Sequence, residues 1–294
     1  MSQNTYRIMI SIKYLREVIM KISKPIRLIS QIFFFVVIAL ITWNHYLVES
    51  GSALPFIGSS SLHAICPFGG VATLVSWVTL GAFVQKIHLS SIVIMVIIMI
   101  LSFLLGPVVC SYVCPLGSIQ EWFSKIGKKI FKGKFNTFIP KKLDKILRFG
   151  RYGVLIFTVY LTTQSLKLIF LEVDPYYALF NFWSDEATVG GIIVLVIVLM
   201  GSLFVERPWC KYACPFGAVV GLTNYFSIFK IRRKSSTCVN CQKCDTVCPM
   251  NIQVSSKDVI KDTSCIRCGL CTSEHTCPID NTVSLSIKDK EEIR

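Results

Sequence analysis

Thirteen cysteines, eight of them within the last sixty residues, constrain this chain more than any other feature. Cys238, Cys241, Cys244 and Cys248-Pro249 follow the spacing C-x2-C-x2-C-x3-C-P, and Cys265, Cys268, Cys271 and Cys277-Pro278 form a second set after a short gap. Three closely spaced thiolates wrap one face of a cubane iron–sulfur cluster, while the fourth cysteine, fixed before a proline, reaches across to the other cluster. The spacing predicts two 4Fe-4S clusters, one on Cys238, Cys241, Cys244 and Cys277, the other on Cys265, Cys268, Cys271 and Cys248. Zinc ribbons also use C-x2-C, but as two pairs and not as two quartets each closed by a proline. Disulfides are disfavoured because the flanking charges place these cysteines in a reducing cytosol. One interval departs from the pattern: five residues separate Cys271 from Cys277 where three are usual. His275 lies in that insertion as an alternative ligand to Cys277, although a solvated loop histidine is the simpler reading. No C-x2-C is followed by His, which excludes local c-type haem attachment.

The composition, 53% hydrophobic with a net charge of +14, is that of a membrane protein, because the apolar residues fall in blocks. Candidate spans are Ser30 to Val48, Ser91 to Val109, Tyr152 to Leu171 and Gly190 to Val205, each near the roughly 20 apolar residues a crossing helix needs. Positive charge orients them. Residues 1–28 hold six Lys/Arg against one acid, residues 110–151 ten against two, and residues 206–234 six against one. Residues 49–90 carry one lysine and one glutamate, and residues 172–189 carry Glu172, Asp174, Asp185 and Glu186 with no Lys or Arg. Four spans with both termini in the cytoplasm satisfy every loop. Ile65 to Val84 is uncharged and long enough to be a fifth span, but a full crossing would put the most basic loop outside. A re-entrant or interfacial element is therefore expected there, with Pro67, Gly69 and Gly70 at its start.

The segments Gly106-Pro-Val-Val-Cys110-Ser-Tyr-Val-Cys114-Pro-Leu-Gly117 and Glu206-Arg-Pro-Trp-Cys210-Lys-Tyr-Ala-Cys214-Pro-Phe-Gly217 align one hundred residues apart. The chain is thus a duplicated helical hairpin with C-x3-C-P at each second helix, and Cys66-Pro-Phe-Gly69 reads as a partial third copy. The proline after Cys114 and Cys214 biases each away from helical geometry, so each pair is expected where a membrane helix ends. Pro115 to Phe131 follows as an amphipathic stretch, with Ile119, Trp122, Phe123, Ile126 and Ile130 at helical spacing and lysines between, suited to the headgroup layer. Four sulfurs at one membrane depth point to a metal or cluster site at Cys110, Cys114, Cys210 and Cys214. Each pair could contact one cofactor separately, or all four could share a site; the sequence is compatible with both.

Together these features resemble the membrane iron–sulfur proteins of the NapH/NosR/CcoG type, polyferredoxin-like components of quinol dehydrogenases, over about four fifths of the chain. The resemblance implies a mostly α fold: a polytopic helical membrane domain over residues 1–234, with four spans plus the re-entrant or interfacial segment, and a C-terminal α+β ferredoxin domain of the bacterial 2[4Fe-4S] type over residues 235–294. It implies a multi-pass protein of the cytoplasmic (inner) membrane with the ferredoxin domain on the cytoplasmic side. The implied role is electron transfer between the quinone pool or cytoplasmic donors and an acceptor across the membrane. NosR-like members add an extracytoplasmic flavin domain for which this chain has no room, so an FMN-bearing partner would be a separate polypeptide.

The leading expectation is a redox relay or quinol dehydrogenase component, since a hydrocarbon layer of roughly 30 Å is too thick for one direct hop and requires an intermediate cofactor or quinone. Cys66 could help hold such an outer cofactor, and His45 and His63 could serve a quinone's protons, though interfacial histidines are commonly structural. Lys167, near the outer end of its span, snorkels, and the acidic stretch Glu172 to Glu186 reads as a solvated outer loop. The alternative class is a metal (copper) reductase or assembly factor for a respiratory oxidase. No hydrolytic triad, Walker loop or dinucleotide fingerprint is present, no paired intramembrane carboxylates suggest a transporter, and positive-inside topology explains the basic loops without nucleic acid.

Overall fold

The computed structural model describes residues 24–49, 67–81, 89–165, 169–184 and 187–287. Its helical part runs twice through one series of elements. In the first half α1 (Lys24–Glu49) is followed by α2 (Pro67–Leu80), the apolar α3 (Leu89–Leu105), the short α4 (Val109–Tyr112) and α5 (Pro115–Phe131). After a linking helix, α6 (Lys141–Leu147), the second half gives α7 (Gly150–Ser165), α8 (Pro175–Asn181), α9 (Val189–Gly201), α10 (Pro208–Tyr212) and α11 (Pro215–Phe226). The duplication is therefore wider than the cysteine hairpin alone. Its packing is exchanged between halves: α2 lies on α3 and on α7, and α8 lies on α9 and on α1. Likewise α5 packs on α1 and on α9, while α11 packs on α7 and on α3. Each Cys-Pro helix is thus held by one helix from each half, as a two-fold arrangement requires.

Among the described residues only the stretch Pro25–Val48 of α1 is long and apolar enough to cross a membrane as a single helix. The other expected crossings contain shorter helices: α3 has 17 residues, α7 has 16 and α9 has 13. Helix α2, in the segment expected to be re-entrant, has 14 residues and rises about 21 Å, less than a hydrocarbon layer of about 30 Å. Residues 65–66 and 82–84 of that segment lie outside the described residues, as do Cys66, His63 and Lys167. The segment expected as a solvated acidic loop differs from that reading. It folds as α8, whose Tyr177, Ala178, Leu179 and Phe180 are buried with Ile38, Leu116 and Leu195. Asp174 is itself buried and caps α8 by accepting the Tyr176 N–H at 3.1 Å.

Helix α5 is packed polar side inward. Gly117, Ser118, Gln120, Glu121, Ser124 and Gly127 are buried, whereas Ile126 and Ile130 are 51% and 61% exposed. In water the apolar stripe of such a helix would face the core; here the small and polar residues do, and the core partner is backbone. The Ser124 hydroxyl donates to the carbonyl of Ser202 at 3.0 Å, and a Cβ added to Gly127 would lie 2.0 Å from the Leu203 carbonyl oxygen. Ile126 and Ile130 are left for an apolar surrounding, while Ile119 packs on the helical core and Trp122 on Phe35.

The cysteine-rich lobe is built on a three-stranded antiparallel sheet, β1 (Lys230–Arg233), β2 (Val259–Ile260) and β3 (Val283–Ser286), in the order β2-β1-β3. Ile231 faces Ile260 on one side and Leu285 on the other. Its core is small, comprising Ile231, Met250, Ile252, Val254, Ile260, Ile266 and Val283 with Cys244, Cys265 and Cys271. A lobe of this size ordinarily needs staples or bound metal. The lobe is also anchored to the helices by buried polar contacts. Arg267 donates to the Asn224 side chain at 2.9 Å, the Phe229 carbonyl at 2.7 Å and the Ser227 hydroxyl at 2.9 Å. Asn224 in turn donates to the Cys265 carbonyl at 2.7 Å, and Arg151 donates to the Thr263 hydroxyl at 2.8 Å. Gly106, at φ +81°, leaves the space that the Arg267 side chain fills.

The packing of α5 gives a test with two signs. Gly127→Val is expected to destabilise the protein by about 3 kcal/mol through overpacking. Gly153→Ala, at a helix position with open space around its Cβ, is expected to stabilise it by roughly 0.5 kcal/mol. Thermal unfolding in detergent reads both, and equal stability of the two variants would contradict the close approach.

Candidate iron–sulfur sites

Within the lobe the eight cysteines divide between two cavities. Cys248, Cys265, Cys268 and Cys271 line one, of ≈360 Å³, together with Pro249 and the core isoleucines. Cys238, Cys241, Cys244 and Cys277 line the other, of ≈350 Å³, together with Pro278. The fourth cysteine of each run thus stands with the first three of the other. Local backbone explains how triplets spaced by two residues turn their sulfurs one way. Asn240 and Gln242 have φ of 54° and 55°, and Arg267 and Gly269, at the corresponding places of the second run, have 51° and 73°. These left-handed residues reverse the chain between cysteines and aim backbone N–H groups inward, as in anion-binding nests. The N–H of Asn240 holds the Cys238 thiol below its ordinary value, helped by Arg233, and the Ile252 N–H donates to the Cys248 sulfur at 3.4 Å.

The longer interval before Cys277 is absorbed by a local turn, in which the Cys277 N–H donates to the Ser273 carbonyl at 3.1 Å and the Ser273 and Thr276 hydroxyls pair at 2.9 Å. His275 is exposed and does not line the cavity. Among the described residues no three His, Cys, Asp or Glu side chains converge closely enough for a single metal ion. Each space is lined by four cysteines that do not close on one point. Four soft thiolate donors spread around such a space fit a polynuclear sulfide-bridged group and not one zinc ion. The cavities differ in depth: Cys241 and Val239 are exposed at the outer one, whereas Cys265 and Cys271 are buried at the inner one.

The four C-x3-C-P cysteines, for which the sequence is compatible with two sites or one, come together. Cys114 and Cys214 have nearly identical backbones, φ −66°, ψ 112° and φ −67°, ψ 111°, each capping a helix whose first residue is proline. That is the extended conformation a following proline enforces. Cys110 and Cys210 sit on α4 and α10, one short helix upstream. Burial, then the neighbouring Cys114 and Cys210, pushes the Cys110 thiol up to about 12. Burial and Cys210 push Cys114 up to about 11, and Cys214 is raised by burial and by all three others. Each of these thiols opposes the ionisation of the others, so the four lie within electrostatic reach of one another. Cys110 and Cys210 pack against the core of the lobe, with Cys248 and Cys268 in the same cluster. The residues between each pair lie close to the lobe's cysteines: Tyr112 is raised by burial and by Cys268, and the buried Lys211, ion-paired to Asp144 at 2.7 Å, lies within electrostatic reach of Cys248.

A polar cage surrounds this third set. Arg207, fully buried, donates to the Cys110 carbonyl at 2.6 Å and to Glu121 at 2.7 Å. Arg27 pairs with the same carboxylate oxygen, and Gln31 donates to it at 3.2 Å. Burial alone would raise the Glu121 carboxyl, but Arg207 and Arg27 outweigh it and hold it down at about 2. Gln120 donates to the Cys210 sulfur at 3.6 Å and accepts the Trp209 N–H at 3.1 Å, and the Gly217 N–H donates to the Cys214 sulfur at 3.2 Å. Arg27, Gln31, Gln120, Glu121 and Arg207 are all missed by sequence reasoning. The signal that could have found them is the mismatch between the aligned repeats, Arg207 opposite Pro107 and Gln120-Glu121 opposite Val220-Gly221. Of the two histidines expected to serve a quinone's protons, His45 is half-buried on α1 and His63 lies outside the described residues. Asp174, expected in an acidic loop, has its carboxyl pushed up to about 7 by burial.

A family model described as a 4Fe-4S binding domain matches residues 87–134 and 187–236, which contain the two C-x3-C-P hairpins and end before the eight-cysteine cassette. The putative electron transport protein YccM of Escherichia coli is 28% identical over 254 residues, 84% of this chain and 69% of its own length. MJ0750 of Methanocaldococcus jannaschii, uncharacterised, is 31% identical over 209 residues, 71% of this chain and 82% of its own length. The ferredoxin-type protein NapH of Haemophilus influenzae is 29% identical over 185 residues, 60% of this chain and 62% of its own. The chain belongs to the NapH/NosR-type family of ferredoxin-like electron-transfer proteins. The relatives' names, an electron transport protein and a ferredoxin-type protein among them, and the matching 4Fe-4S domain support an iron–sulfur electron-transfer role for this chain. No solved structure matches it significantly.

The two candidate ligands of the outer cavity separate cleanly by mutation. Cys277→Ser is expected to remove about four iron per chain, whereas His275→Ala leaves the iron content unchanged. Iron and acid-labile sulfide analysis reads both, and the reverse pattern would make His275 the ligand.

Proposed function

We propose that this protein relays single electrons between the quinone pool or a cytoplasmic donor and a membrane or extracytoplasmic acceptor, using three thiolate sites in a row. Cys238, Cys241, Cys244 and Cys277 hold the outer site, Cys248, Cys265, Cys268 and Cys271 the inner one, and Cys110, Cys114, Cys210 and Cys214 the third. The observation that carries this reading is the convergence of the four C-x3-C-P cysteines, two from each half of the duplication, against the lobe that contains the other eight. When bound, 4Fe-4S clusters supply one-electron chemistry at potentials tuned by net charge, hydrogen bonds to sulfur and solvent exposure. The chain's own part is to hold these sites apart from water at graded depth. The outer cavity opens at Cys241 and Val239, the inner one is enclosed by Met250, Ile252 and Ile260, and the third lies behind both, between the two helical halves. Tyr112 stands near Gly269 of the second cysteine run and Lys211 within electrostatic reach of Cys248, so both bridge the third site to the inner one.

In this reading residues 1–234 form the membrane domain and residues 235–294 the ferredoxin domain, whose sheet takes its central strand, β1, from the last residues of the linker. The protein crosses the inner membrane four times, with both termini and the lobe cytoplasmic. The basic loops support that orientation, and so do the outward apolar faces of α3 and α9, where Val93, Ile97, Ile100, Ile193 and Ile197 are each more than half exposed. Within the acidic segment Tyr177 to Phe180 pack against Leu116 and Ile38, while Glu172 and Phe182 stay exposed. The acceptor on the far side is a separate polypeptide, an FMN-bearing one among the candidates that the family resemblance implies.

Anaerobic purification in detergent with iron and sulfide analysis tests the count. About twelve iron per chain are expected in the native protein and about eight after Cys110, Cys114, Cys210 and Cys214 are all changed to Ser. Eight in both would confine the clusters to the lobe, and zinc without sulfide would overturn the reading.

A further inference from the structure

Arg207 is a buried cation set between the two C-x3-C-P pairs. It is fully buried, and its Nη1 and Nη2 bind the Cys110 carbonyl and Glu121. Its Nε is buried with no hydrogen-bond partner. Its charge acts on Cys110, Cys114 and Cys210. Its backbone is left-handed, φ 53° and ψ 55°, immediately before Pro208, a conformation that a bulky residue adopts only where its surroundings enforce it. A Cβ on Gly117 would lie 2.7 Å from Nη1, so the glycine of the first C-P-x-G turn clears the space that the guanidinium occupies. Both turn glycines also offer their N–H to the preceding cysteine, Gly117 to Cys114 and Gly217 to Cys214. The aligned position in the first half is Pro107, so one guanidinium serves both pairs.

We infer that Arg207 sets the reduction potential of the four-cysteine centre, with Glu121, itself paired to Arg27, as the counter-charge that fixes its guanidinium in place. The inference rests on the third centre proposed above. Reduction adds one electron and no proton to a site already negative from four thiolates, so a permanent positive charge beside it stabilises the reduced form and raises the potential. In a low-dielectric interior that interaction is far stronger than in water. Glu121 works in the opposite sense: it offsets part of the charge of the two arginines, which would otherwise be buried uncompensated. The lobe sites lack this cage, and their potentials are independent of it.

Redox titration of the full-length protein in detergent, followed by EPR, tests this. Arg207→Met keeps the bulk and removes the charge. Its four-cysteine centre is expected to become more than tenfold harder to reduce, a fall of at least 59 mV for one electron, with iron content and both lobe centres unchanged. Arg207→Lys is expected to restore most of the shift, and Glu121→Gln to move the potential upwards. Only two centres in the native protein would sink the three-site reading itself. Three centres with an unmoved potential in Arg207→Met would overturn the role of Arg207 and leave that reading intact. If Arg207→Met loses the third centre's iron, Glu121→Gln decides: an upward shift supports the inference, and an unmoved potential makes Arg207 a structural residue and overturns it.

Discussion

The Cys-Pro peptide at the head of α5 and of α11 is the joint on which this molecule turns. Proline denies the preceding cysteine helical backbone, and the same residue starts the next helix well because its missing N–H is one of the donors a helix start leaves unpaired. The chain must therefore break at the cysteine and resume at once. Cys114 and Cys214 obey with dihedral angles that agree within a degree. Duplication then makes two such breaks, and the exchange of packing partners between halves brings them face to face. Four thiols from residues a hundred positions apart come to share one place because each Cys-Pro helix is clasped by a helix of the other half.

Everything around that place solves the problem of keeping charge out of water. Arg27, Glu121 and Arg207 form a buried set whose carboxylate stays ionised because two guanidiniums face it. A second buried set, Asp144 with Arg148, Lys211 and Tyr212, stands beside Cys248. Removing one member of such a set leaves the others uncompensated, which is commonly worse than never having buried them. The lobe meets the helices through Arg267, Arg151 and Asn224, so the cysteine cassette is not a tethered bead. It closes over the third site, with Cys110 and Cys210 packed into its own core.

Much of this architecture is legible in the amino-acid sequence. The two cysteine runs carry their crossed pairing, since a proline after each fourth cysteine marks the residue that reaches across, and the 100-residue repeat carries the hairpins and their breaks. Other features are hidden for physical reasons. The convergence of the four sulfurs depends on tertiary exchange between halves, which no local pattern records. Helix α8 reads as a loop because Asp174 and Glu172 dominate its start, although Asp174 is a buried cap and Tyr177 to Phe180 are core. Helix α5 announces its apolar stripe, while its functional face is the quieter one, Gly117, Gln120, Glu121 and Ser124. The left-handed positions between cysteines fall on Asn240 and Gly269, which invite that conformation, but also on Gln242 and Arg267, which do not.

The central claim is that three thiolate sites form one continuous path. EPR of the fully reduced protein addresses it most directly, because paramagnetic centres that are neighbours split one another's signals. The account predicts that the inner centre, on Cys248, Cys265, Cys268 and Cys271, is coupled on both sides, and that changing Cys110, Cys114, Cys210 and Cys214 to Ser removes one of the two couplings while the outer one persists. An inner-centre spectrum identical in the native protein and that variant would contradict it.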